Sequence, residues 1–369
     1  MAHKARSPSP AEQQAIFDLF LAAYWYAAGI SPGPSGAYQF GPYRVQIQFG
    51  SPGLAPVLLP AIAHNALPDG IPAPYQIFAW DSASGGCELP LILSRHVQIL
   101  KSEWASYLNS RGSVAHLSGD KILATLHIGA AGVSLSLYHK ELRQALFWSE
   151  DAATVPYYEQ GAPFRTILHW MTDHNRHLLL HAGAVGLPGA GILLAGKGGS
   201  GKSTSTLACL EAGLQYAADD YCLASVDNPP TVYSLYNTAK LVGPSDLERF
   251  PALANCFEHR DRTDPKSKPM IFLHDHLPRQ VIKEMPLRAI LLPNVTGQEH
   301  TTLRPANPAA ALAAIAPNTI FQLPGAGRHT MLAISRLAKN LPCLWLDAGL
   351  KLDEIPQVIT RYLEEMPEA

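Results

Sequence analysis

Gly196-Lys197-Gly198-Gly199-Ser200-Gly201-Lys202-Ser203-Thr204 is the stretch on which the fold of this 369-residue chain turns. Its first eight residues meet the pattern G-x-x-x-x-G-K-[ST] at every fixed position. The chemistry explains each requirement. A triphosphate is a dense anion, and the glycines at 196, 198, 199 and 201 let the backbone wrap it with successive amide N–H groups pointing inward. A helix opening near Ser203 adds its positive end. Lys202 brings a full charge to the β- and γ-phosphates, and the Ser203 hydroxyl is of the type that ligates Mg²⁺. Ser200 inside the loop and Thr204 just after it complete the candidate binding set. The expected ligands are ATP and Mg²⁺.

The flanks fit an α/β unit. Gly191–Ala195 is an apolar strand leading into the loop, and Ser203–Ala212 reads as the helix leaving it, stopped by Gly213. Leu214–Ala218 is a further strand ending on Asp219-Asp220. Ligands of α/β sheets sit beyond the carboxyl ends of the strands. Two carboxylates there can divide two jobs: one takes the proton of an attacking hydroxyl, the other helps to hold Mg²⁺. The plainer reading of the pair is a polar turn, since Asp favours turns. Upstream, Leu178–Val185 is an apolar run that suits one strand buried on both faces, interrupted only by His181. Spacing leaves His181 as either a core histidine or a functional one. Downstream, Tyr233–Lys240 offers Asn237 and Lys240 as contacts to phosphate or acceptor. Arg328 is a candidate transition-state cation, while Lys266 and Lys268 belong to a charged loop, Asp261–Pro269, that reads as solvated.

Together, Leu180-His181-Ala182-Gly183-Ala184-Val185-Gly186, the phosphate loop and Ala217-Ala218-Asp219-Asp220-Tyr221 resemble the catalytic domain of HPr kinase/phosphorylase. More closely, they resemble the HPr-kinase-like serine kinases, a group that includes lasso-peptide-associated kinases. The similarity is clear over Leu180–Val226, continues weakly through the C-terminal half and does not include residues 1–150. The resemblance implies a PEP-carboxykinase-like α/β core and transfer of a γ-phosphoryl group to a seryl hydroxyl. It implies Asp219 as catalytic base, Asp220 as its partner near the metal, and His181 as an active-site histidine beside the transferring phosphate. The chain departs from the bifunctional family in three places. It has His181-Ala182-Gly183 where the family has His-Gly, and Thr204 where the loop usually ends in Glu. It also lacks a Glu-Ile-Arg-Gly-like run. These departures point to a one-way kinase.

The remainder of the chain sets the frame. Hydrophobic residues make up 47% and charged ones 16%, a globular composition. A net charge of −2 supplies no global field to recruit nucleic acid. Cys87, Cys209, Cys222, Cys256 and Cys343 form no CxxC pair, so neither a zinc knuckle nor a disulfide framework is expected, and free thiols fit the cytoplasm. Ser9-Pro10-Ala11-Glu12 is a capping box that opens a buried helix, too short in apolar residues to span a membrane. Strands are expected at Val45–Phe49, Leu91–Leu93, Lys121–Ile128, Val133–Tyr138 and Ala145–Trp148, and later helices at Pro163–His177, Pro308–Ala316, Thr330–Lys339 and Ile355–Met366.

The fold class is therefore α/β: residues 1–155 form a smaller α+β accessory domain and residues 156–369 an HPr-kinase-like P-loop catalytic domain. The expected activity is ATP-dependent transfer to a hydroxyl of a peptide, protein or small molecule, with homo-oligomerisation possible. The alternative is a nucleotide-binding regulator or ATPase without phosphotransfer. A GTPase is disfavoured because no Asn-Lys-x-Asp guanine motif is present.

Overall fold

The computed structural model describes residues 9–89, 118–128, 132–172, 176–240, 248–254, 256 and 270–367. The expected strand at Leu91–Leu93 and the charged loop with Lys266 and Lys268 lie outside the described residues. The chain is a mixed α/β protein with several sheets, and it divides into two compact units.

The first unit comprises residues 1–60, 66–171 and 323–325. Helix α1, Pro10–Ile30, opens on the capping box read from the sequence. The Ser9 hydroxyl accepts from the Glu12 N–H at 3.3 Å, and the Glu12 carboxylate accepts from the Ser9 N–H at 2.6 Å. Six strands follow: β1 (Ser35–Phe40), β2 (Tyr43–Phe49), β3 (Tyr75–Asp81), β4 (Ile122–Ile128), β5 (Val133–His139) and β6 (Gln144–Ser149). They form one mixed sheet in the order β1-β2-β3-β6-β5-β4. Phe17, Phe20 and Tyr24 of α1 pack with Phe78, Trp80, Leu135 and Trp148 of the sheet into one apolar core. Helix α2, Arg165–Thr172, falls almost wholly in this unit; its Trp170 indole donates to the Pro324 carbonyl at 2.8 Å.

The second unit comprises residues 61–65, 172–322 and 326–369. Its main sheet runs β10 (Gln215–Ala218), β8 (Gly183–Leu187), β9 (Ala190–Leu194), β15 (Glu284–Val295), β12 (Thr231–Ser234), β11 (Cys222–Ser225), β7 (His177–Leu180). Strand β17 (Cys343–Ala348) pairs in parallel with β15, and β16 (Thr302–Ala306) pairs with β17. A two-stranded ladder joins β13 (Thr238–Lys240) to β14 (Met270–Phe272). Helix α3, Lys202–Glu211, and helix α6, Glu354–Glu364, bury Leu207, Leu210, Ile355 and Ile359 against Ile192, Leu194, Leu291 and Leu346 of the strands. Helices α4, Pro308–Gln322, and α5, Arg328–Asn340, pack on each other and touch β7.

Three elements differ from the sequence reading. The helix expected at Pro163–His177 spans Arg165–Thr172, and His177 already opens β7, where it pairs with Ser225 of β11. The run Leu178–Val185 is two strands, because its first half pairs with β11 and its second with β9 and β10. The helix expected at Pro308–Ala316 continues to Gln322, with Pro317 inside it. No helix among the described residues is long and apolar enough to cross a membrane.

Candidate functional site

Strands β9 and β10 flank β8, and each is antiparallel to it. They therefore run the same way, and their carboxyl ends lie at one edge of the sheet. The phosphate loop leaves β9 at that edge, and Asp219-Asp220 leaves β10 there. His181 sits where the chain crosses from β7 to β8, and Asp219-Asp220-Tyr221 where it crosses from β10 to β11. The two crossings touch: His181 Nε2 lies 2.9 Å from Asp220 Oδ1, and the His181 ring stacks on Tyr221 with centroids 4.9 Å apart.

The loop has the geometry its glycines allow. Gly199 and Gly201 have φ of +78° and +100°, values that L side chains rarely adopt. A Cβ at Gly196 would sit 2.3 Å from Ser200 Oγ and 3.0 Å from its Cβ, so a larger residue there would require the serine to shift. Cβ atoms at Gly198 and Gly199 would meet nothing within 4 Å, so the loop opens onto free space on that side. Helix α3 begins at Lys202 with Gly201 as its cap and carries Ser203 and Thr204 in its first turn. Lys202 is buried, and its ammonium donates to the carbonyls of Gly196 at 2.6 Å and Lys197 at 3.2 Å.

The adjacent aspartates occupy opposite environments. Asp219 is only 2% exposed, and its Oδ1 is buried without a hydrogen-bond partner. Its Oδ2 accepts from the Lys240 N–H at 3.2 Å. Burial, and then repulsion from Asp220, raise its carboxyl to about 6, against opposing pulls from the Ser203 side chain and the Lys240 amide. The Asp220 side chain keeps 31% of its surface exposed. Burial would raise Asp220 too. The Lys240 ammonium, 2.8 Å from Oδ2, and His181 on Oδ1 overcome that and hold it well below the usual carboxylate range.

Of the sequence-predicted residues, His181, Ser203, Asp219, Asp220 and Lys240 are thus linked through the contacts just described, while Lys202 is turned to the loop's own carbonyls at Gly196 and Lys197. Gly196, Gly198, Gly199, Ser200, Gly201 and Thr204 form the loop and helix start beside them. Asn237 goes elsewhere: it is fully buried, and its amide donates to the Ala61 carbonyl at 3.0 Å. Arg328 is exposed at the first position of α5.

Three residues of α4 that the sequence reading missed also reach this region. The Asn318 amide donates to the Gly196 carbonyl at 2.8 Å. The Thr319 hydroxyl accepts from the His181 N–H at 3.2 Å, and the Gln322 amide oxygen accepts from the Tyr221 hydroxyl. Pro317-Asn318 reads as a helix stop. The signal that could have found them is the i, i+4 series Ala311, Ile315 and Thr319, all fully buried, which carries the helical period through Pro317.

The donor set suits a magnesium nucleotide. Gly198 and Gly199 open onto free space, Lys202 rests on carbonyls it can leave, and Asp219 carries an unpartnered buried oxygen beside Ser203. Among the described residues, no group of three or more His, Cys, Asp or Glu could hold a metal by itself. Mg²⁺ commonly takes only one or two protein ligands and completes its shell with phosphates and water.

No known protein family matches the chain, and no curated protein does. Among solved structures it is similar to the Hpr(Ser) kinase/phosphatase from Coxiella burnetii, at 11% identity and a TM-score of 0.27. That likeness covers 49% of this chain and 90% of the other. At that level it carries no argument about this chain's activity.

Proposed function

We propose that the second unit is a PEP-carboxykinase-like P-loop kinase that moves the γ-phosphoryl group of ATP to a hydroxyl, of a serine or a similar acceptor. The observation that carries this reading is the meeting of a complete phosphate loop with two differently tuned carboxylates at one sheet edge. The Leu180–Val226 resemblance supports it.

The loop amides and Lys202 bind the phosphates. Bound Mg²⁺ offsets charge on the phosphoryl oxygens, and Ser203 with Asp219 is the pair placed to hold it. The family resemblance makes Asp219 the base and Asp220 the metal partner, and the raised Asp219 carboxyl suits a base; side-chain exposure argues for the reverse. A base must first be reachable by the proton it takes, and Asp219 is buried whereas Asp220 is partly exposed. Asp220 then accepts the acceptor's hydroxyl proton as the new O–P bond forms and the bridging oxygen departs with ADP. His181 and Lys240 fix its orientation through their two hydrogen bonds.

The test is incubation of the full chain with magnesium-ATP and candidate peptide, protein and small-molecule acceptors, followed by mass spectrometry. A gain of one phosphoryl group on an acceptor is expected. Lys202→Ala weakens ATP binding. Asp220→Asn retains magnesium-ATP binding and loses about 10²–10⁴-fold in transfer, whereas Asp219→Asn loses the magnesium dependence of binding. Wild-type transfer by Asp220→Asn would return the base role to Asp219. Slow ATP hydrolysis with no acceptor modified would instead indicate a nucleotide-binding regulator.

A further inference from the structure

The Gly196 carbonyl is an acceptor shared by two donors. Lys202 Nζ reaches it at 2.6 Å and Asn318 Nδ2 at 2.8 Å, and Gly196 is buried. A carbonyl oxygen has two lone pairs, so it satisfies both at once. The two donors differ in what they do next. On the cradle reading, Lys202 exchanges this carbonyl for a phosphate when a triphosphate binds. Asn318 sits on α4, where its amide also lies 3.5 Å from the Ala314 carbonyl of the preceding turn. Thr319, its neighbour in the chain, is fully buried and holds the His181 N–H. Asn318 is therefore held to the carbonyl from α4, by a contact that does not depend on the phosphate site.

We infer that Asn318 is a positioning residue for the phosphate loop: it keeps the Gly196 carbonyl satisfied when Lys202 swings away to a triphosphate. Without it, departure of the lysine strands a buried acceptor, and a stranded acceptor costs its full desolvation. Lys202 then stays on the carbonyl, and binding weakens although no group that touches the nucleotide has been removed. The same turn of α4 holds the His181 N–H through Thr319 and the Tyr221 hydroxyl through Gln322. One helical turn thus secures the loop and both crossings beside it. This inference rests on the reading of Gly196–Thr204 as a triphosphate cradle.

The two claims separate in one set of titrations of the full chain with magnesium-ATP, using wild type, Asn318→Leu, Lys202→Ala and the double variant. Asn318→Leu, close in volume and lacking the donor, is expected to weaken binding about tenfold. In the Lys202→Ala background it is expected to add less than about twofold, because there the carbonyl does not change its partners on binding. Phe321→Ala, an exposed position on the same helix, leaves affinity unchanged. An equal loss in both backgrounds would show general distortion of the loop and overturn the inference. Wild-type affinity in Asn318→Leu would overturn it and leave the cradle reading standing. Failure of the wild-type chain to bind magnesium-ATP would sink both. Should Asn318→Leu not fold, Asn318→Ala, with its high helix propensity, enters the same comparison.

Discussion

Asp219 and Asp220 are neighbours in sequence and opposites in electrostatics. Asp219 is buried and repelled by Asp220, and its carboxyl titrates at about 6 against an ordinary 3.8. The folded state therefore holds a proton that the unfolded chain releases between those values. That contribution to stability is fully present below about pH 4 and is lost as pH rises through about 6. Asp220 has the opposite sign: its stabilisation is present above the ordinary carboxylate value and is lost as pH falls through its depressed one. Asp219→Asn is expected to stabilise the protein at pH 7.5 by on the order of 1–3 kcal/mol, and to do little at pH 4. Urea denaturation at the two pH values measures this. A variant less stable than wild type at pH 7.5 would mean that the buried carboxylate is compensated in the free protein. On the proposed function, nucleotide binding would share the titration. Asp219 must be ionised to share a cation, so magnesium-ATP affinity is expected to fall as pH drops towards and below about 6.

At the scale of elements, what could be read beforehand was what local chemistry decides. The capping box of α1 is written in Ser9 and Glu12, and both of its bonds form. Ser9→Ala is expected to cost about 1 kcal/mol, read from thermal or denaturant unfolding of the full chain. Strand β9, the loop and α3 were equally plain, since an apolar run, four glycines and Lys-Ser fix strand, turn and helix within a dozen residues. Two features were not legible, for one reason: each depends on which distant strand or loop becomes a neighbour. Leu178–Val185 looks like one strand, and only its pairing with β11 and then with β9 breaks it at His181. Pro317 looks like an end to a helix because it lacks an N–H and crowds the preceding turn. The helix continues, and its last turn is tied to Gly196, His181 and Tyr221. Similarly, Tyr233–Lys240 looked like one candidate segment. It delivers Lys240 to Asp220 and commits Asn237 to the Ala61 carbonyl, because the side chains follow strands and loops with different partners.

At the scale of the whole molecule, the second unit is not a continuous stretch of sequence. Residues 61–65 belong to it, although more than a hundred residues separate them from its next segment at Thr172. They are tied in by polar groups rather than by apolar surface alone. The Asn237 N–H donates to the Ala61 carbonyl at 2.9 Å, and His64 Nε2 lies 2.9 Å from Ser234 Oγ. The Asn65 amide donates to the carbonyls of Ser234 and Leu235 at 3.1 and 3.2 Å. His64 is kept neutral there, its ring pushed down to about 3 by burial and by His274 and Lys283. A boundary drawn at residues 155/156 leaves this segment out of the C-terminal piece. Removal strands several buried partners, each worth roughly 1–3 kcal/mol when left unsatisfied. Set against the roughly 5–15 kcal/mol of net stability typical of a folded domain, that is a large loss. A fragment of residues 156–369 is therefore expected to unfold well below the full chain in urea, and to regain stability when a peptide spanning residues 55–70 is added. Asn65→Ala in the intact chain is expected to reproduce part of the loss. Equal midpoints for fragment and full chain, with no response to the peptide, would show that β12, β13 and the loop between them hold their places without residues 61–65.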